Sequence, residues 1–126
     1  RGSRRRWSRC RSVRRTDRRP RPPRRLLHYC HHAVDSPHRA AGPIYVRKDA
    51  RQALLAPGEV PDYATRRLMS LRACDAAGMM VAAAVCEGSA TAERLDALFG
   101  DPAVAYVHLH NARQGCCSCL ARRAGD

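Results

Sequence analysis

Several groups of residues have types and spacings suited to chemistry. Gly42-Pro43-Ile44-Tyr45-Val46-Arg47-Lys48-Asp49 runs a short apolar segment into charged side chains, the pattern of a strand ending at an active site. His108 and His110 flank Leu109, so on a strand both imidazoles face one side. Such a pair can ligate a metal or serve as acid and base, although two polar positions on the less buried side of a terminal strand have the same pattern. Cys116 and Cys119 have the C-x2-C spacing of a zinc knuckle, with His108 and His110, or the distant Cys30 and its neighbours His28, His31 and His32, as candidate partners. No second knuckle lies at a defined distance, so exposed thiols on a frayed tail are favoured over metal, and no cofactor is expected. Cys74 and Cys86 read as small core residues. Asp49, Asp62 and Glu87 could supply carboxylates, but nothing fixes their mutual distance, and an unrelated hydrolase is not favoured.

The charge is lopsided. The chain carries +13 over 126 residues, and residues 1–40 hold 14 Arg against only Asp17 and Asp35, a local balance of +12. Arg4, Arg5, Arg6, Arg14, Arg15, Arg18, Arg19, Arg21, Arg24 and Arg25 make this segment a candidate for non-specific contact with the phosphate backbone of nucleic acid, and Trp7 and Tyr29 offer faces on which bases stack. Only Lys48 among the basic residues is a lysine, which points to a GC-rich coding sequence and weakens the inference from arginine content to phosphate binding. Pro20, Pro22, Pro23 and Pro37 forbid a continuous helix, and so charged a segment cannot bury enough apolar surface to offset its ordering entropy. Disorder is the expectation for residues 1–40.

The elements that would position these side chains lie in residues 41–115, followed by a cysteine-containing tail over 116–126. Ile44–Val46 predicts a strand. Asp62 is a good N-cap, and Ala64, Leu68, Leu71, Cys74 and Ala77 fall at helical spacing before Gly78. The apolar run Met79–Cys86 predicts a buried strand, Thr91–Phe99 a helix with Ala92, Leu95, Leu98 and Phe99 inward, and Ala103–Leu109 a third strand. The order β-α-β-α-β implies an α/β fold: a small three-layer parallel sheet preceded by a disordered basic arm.

This ordered set resembles the catalytic domain of the serine recombinases, the resolvase and invertase family. The resemblance rests on IYVR at 44–47, RRLMSLRACDAAG at 66–78, MVAAAVCEGS at 80–89, ERLDALFGDP at 93–102 and VAYVHLHNARQG at 104–115. It implies a strand-end site in which a serine two residues after the arginine attacks a DNA phosphate. Tyr45 and Arg47 match that pattern, Asp49 stands where the serine belongs, and Arg113 matches a family arginine after a one-residue shift. The resemblance therefore implies a truncated, catalytically inactive relative that binds nucleic acid through its arm. The alternatives are a small protein-interaction module and a recombinase remnant without function. No run of about 18 apolar residues suggests a membrane span. The seven cysteines without a signal-like segment fit a reduced, cytoplasmic chain in which homo-oligomers are possible.

Overall fold

The computed structural model describes residues 7–12, 24–47, 55–56 and 58–125, with side chains unassigned for 7–12, Arg24 and Arg47. Its elements are strands β1 (Trp7–Ser12), β2 (Arg24–His32) and β3 (Ala40–Arg47), a single helical turn α1 (Asp62–Thr65), strands β4 (Leu68–Cys74) and β5 (Met80–Glu87), helix α2 (Thr91–Leu98), and strands β6 (Tyr106–Asn111) and β7 (Cys117–Arg123). Five strands form one sheet in the order β1-β7-β6-β4-β5, with antiparallel pairing at every step; β2 and β3 form a separate antiparallel pair.

The expected parallel three-layer α/β fold is thus wrong, and the reason lies in residues 66–78. LMSLRAC fits helical spacing, but it fits period two as well: Met69, Leu71 and Ala73 are buried on one face, while Leu68, Ser70 and Arg72 are only partly buried on the other. The turn after it decides between the two. Asp75 Oδ1 accepts the backbone N–H groups of Ala77 and Met79, both at 2.9 Å, and Gly78 adopts φ +83°, so the chain folds straight back into β5. Two strands joined by so short a turn can pair only antiparallel. Gly78 is therefore a hairpin glycine and does not cap a helix.

A crossover runs from β5 through α2 to β6. Both strands lie antiparallel to β4, hence parallel to each other, with β4 between them. Helix α2 lays Leu95 on the sheet, and Phe99 and Val104 complete the cover over Met69, Leu71, Val107, Leu109 and Ala121. Burying side chains of this size contributes about 1.5–3 kcal/mol each. The end of α2 is held by the Arg123 guanidinium, which donates to the carbonyls of Phe99, Asp101 and Val104 at 2.9, 2.9 and 2.6 Å. At Gly88 the backbone passes so close to α1 that a Cβ would collide with the Ala64 carbonyl oxygen.

Two further expectations are corrected. Trp7–Ser12 pairs with β7 and Arg24–His32 with β3, so these parts of the basic segment are ordered strands. Cys117–Arg123 is an interior strand of the five-stranded sheet, with Cys119 buried, where a frayed tail was expected. Among the described residues no helix is long and apolar enough to cross a membrane.

Candidate functional site

The sheet face away from α2 carries the polar residues. Register pairs Arg72 of β4 with His108 of β6, and Ser70 with His110, which sets one guanidinium and two imidazoles side by side at the sheet's centre. The end of the β2–β3 hairpin closes over them. Ser36 Oγ donates to the Gly78 carbonyl at 2.9 Å, and Val34 packs so tightly on Gly78 that a Cβ there would lie 2.8 Å from its Cγ2. Pinned in this way, the hairpin end brings His31 within 4.8 Å of His110 and His32 within 4.9 Å of His108, ring centre to ring centre. A cavity of about 220 Å³ results, and five of the chain's six histidines line it, together with Arg39, Arg72 and Cys74.

The hydrogen bonding is uneven. His32 Nδ1 donates to the His38 carbonyl at 2.8 Å, which leaves Nε2 to accept the Tyr106 hydroxyl at 2.7 Å, so His32 is satisfied on both sides. His110 Nδ1 donates to the Gly115 carbonyl at 3.0 Å, and its Nε2 has no partner. His108 has no partner on either ring nitrogen. The two rings are 1% and 5% exposed, so protein groups offer their three open nitrogens nothing. Thr91 Oγ1, at the start of α2, is the other buried side-chain atom without a partner among the described residues. An unsatisfied buried donor or acceptor costs about 1–3 kcal/mol, so three in one cavity demand an explanation.

Electrostatics keep these rings neutral. Burial, reinforced by His32, His31, His110 and Arg72, lowers His108 to a pKa of about 3. Burial also lowers His110, to about 4, with Arg72 and His31 adding to the effect and the Gly115 carbonyl opposing it. His31 is lowered by burial, then by Arg72 and His32. Cys74 is raised by burial and by Asp75, so at neutral pH it is a thiol. No carboxylate lines the cavity, and no ion pair to Arg72 is formed among the described residues.

The histidines anticipated on one strand face are thus brought together, but on the central strand and buried. The proposed metal partners separate instead. Leu109 pairs with Cys119 on the core face and His110 points to the other, while Cys116 Sγ accepts from Asn111 Nδ2 at 3.1 Å. No group of three His, Cys, Asp or Glu side chains able to hold a metal exists among the described residues. Of the residues assigned to a vestigial strand-end site, Tyr45 is exposed on the hairpin, Arg113 is exposed in the turn between β6 and β7, Arg47 ends β3, and Asp49 lies outside the described residues. Neither Tyr45 nor Arg113 lines the cavity. Arg4, Arg5, Arg6, Arg14, Arg15, Arg18, Arg19 and Arg21 also lie outside the described residues; Trp7 and Arg24 are in strands, and Arg25 is exposed on β2. Sequence reasoning missed His31, His32 and Arg72 as parts of one site with His108 and His110. The adjacent His31-His32 pair and the His-x-His of β6 are visible in the sequence, but only the fold joins them.

Fold and site together define an antiparallel β protein with a histidine-lined cavity between a hairpin and a sheet. The chain belongs to the family described as "Protein of unknown function (DUF1203)", which matches residues 10–123. No curated protein and no solved structure matches the chain. The family match and the antiparallel sheet give the recombinase and DNA-binding reading no support.

Proposed function

We propose that the cavity between the hairpin end and the β4–β6 face binds a small polar molecule. One observation carries this reading: both ring nitrogens of His108, and Nε2 of His110 beside it, are buried without a protein partner on two rings that line a space of about 220 Å³. A neutral imidazole is both donor and acceptor, so the pair can orient a ligand by direct hydrogen bonds. If the imidazole of His108 serves a ligand, replacing it with an apolar side chain stabilises the free protein. The test is His108→Leu, with melting followed in the presence and absence of small polar compounds. The variant is expected to be more stable than the parent by about 1–3 kcal/mol, as a buried unsatisfied group is removed, and to lose any stabilisation by added compound. A less stable variant would mean that His108 is a structural residue and would overturn the proposal.

A further inference from the structure

The hydrogen-bonding inventory of the cavity restricts its ligand, given the reading of the cavity as a binding site. We infer that the ligand is a small oxyanion that also carries a hydroxyl group, a hydroxy acid or a hydroxylated phosphate ester. Arg72 and Arg39 present guanidinium donors, and no lining residue supplies the carboxylate that would neutralise them. A planar guanidinium fork suits carboxylate or phosphate oxygens. An anion alone leaves the site mismatched. His110 has committed Nδ1–H to the Gly115 carbonyl, so its open Nε2 can only accept. Neutral His108 offers one N–H and one lone pair.

The site therefore presents two imidazole lone pairs beside its cationic donors. Carboxylate or phosphate oxygens pointed at those lone pairs would repel them, whereas a hydroxyl group donates to them. A neutral polyol matches the imidazoles and leaves Arg72 without an anion. A cation matches the lone pairs but sits beside Arg72, whose charge already helps to keep both rings unprotonated. A ligand combining the two functions satisfies every open group. Two sources share that chemistry, and the experiment separates them.

Ring 15N resonances of His108 and His110 in the full chain are followed while four matched three-carbon probes are titrated: glycerate, glycerol phosphate, propionate and glycerol. Glycerate or glycerol phosphate is expected to move both rings at concentrations at least about tenfold below those needed with propionate or glycerol, a difference of about 1.4 kcal/mol. Which of the two does so identifies the oxyanion. In Arg72→Gln the advantage over glycerol should vanish while ring shifts with glycerol persist. Glycerol matching the best anion overturns the oxyanion, and propionate matching it overturns the hydroxyl. Failure of both hydroxylated anions to move either ring overturns the ligand class. The cavity reading is judged separately, by the stability of His108→Leu, so the two failures are distinguishable.

Discussion

The two faces of the central sheet are built from the same strands and obey opposite rules. On the α2 side Met69, Leu71, Val107 and Leu109 are fully buried among apolar neighbours. One residue along β6, the other face buries His108 and His110 about as deeply and leaves His108 and the Nε2 of His110 unpartnered. The first face is what holds the domain together. The second reduces stability: polar groups have been taken out of water with nothing in the protein to replace it. Conflicts of this kind within a consistent fold concentrate where function requires them. Alternation along β6 thus separates a stabilising apolar face from one of buried, unpartnered histidines by a single peptide unit.

The sharpest way to break the comparison is to make matched changes on β6. Leu109→Ala opens a cavity in the core face and should cost about 2–5 kcal/mol, read from denaturant unfolding. If it costs no more than a surface substitution, α2 does not cover that face as described. Acid comes next. His108 and His110 have folded pKa values of about 3 and about 4, below the ordinary 6.5. Above pH 6.5 both are neutral whether folded or unfolded, and no penalty arises. As pH falls below 6.5, the unfolded chain takes up protons that the folded one refuses, so stability declines until the folded pKa values are reached. Each ring contributes a slope of about 1.4 kcal/mol per pH unit within that window. Leu109→Ala should leave the slope unchanged, and His108→Leu should remove one ring's share. A flat profile between pH 6.5 and 4 would show that the rings charge freely in the folded protein.

Part of this was legible in the sequence. The apolar run Met79–Cys86 is a strand from Met80 on, but an edge strand with Val81 and Val85 exposed where a buried one was expected; Thr91 starts a helix, and His108 and His110 share one face of a strand, as their spacing indicates. Pairing was not legible. Residues 68–74 satisfy helical and strand periods at once, and the turn made by Asp75 and Gly78 decides between them through geometry that looks, in sequence, like a helix end. Cys117–Arg123 resembles a tail because small and charged residues interrupt its apolar positions, yet it lies between β1 and β6. The site was only half visible because it is assembled across long sequence separations: His32 contacts Tyr106, 74 positions away. A sequence shows adjacency along the chain, while this cavity depends on where the β2–β3 hairpin lands.

His108→Leu falls next in size: on the core face a truncated side chain costs stability, whereas an apolar side chain in place of this imidazole should raise it, by the 1–3 kcal/mol roughly expected for relieving an unsatisfied buried group. The pair Leu109→Ala and His108→Leu, adjacent on one strand, should therefore shift unfolding in opposite directions. The same direction for both would erase the distinction between the faces.

The smallest effect sharpens the contrast within the cavity itself. His32 sits against His108 but is satisfied, because the Tyr106 hydroxyl donates to its Nε2 while its Nδ1–H is spent on the His38 carbonyl. Burial, with Cys74 and Asp75, raises the Tyr106 pKa, so the phenol keeps its proton and remains a donor at neutral pH. Tyr106→Phe removes that donor and preserves the ring, and it should cost about 0.5–1.5 kcal/mol as one hydrogen bond is lost. Its informative readout is the His32 ring rather than the melting point. With no donor to Nε2, the His32 Nε2 15N resonance at neutral pH should move away from its hydrogen-bonded position, while those of His108 and His110 stay where they are in the parent. An unchanged His32 Nε2 resonance would show that the hydroxyl does not hold this imidazole, and that the satisfied and unsatisfied histidines of the cavity are not set apart by Tyr106.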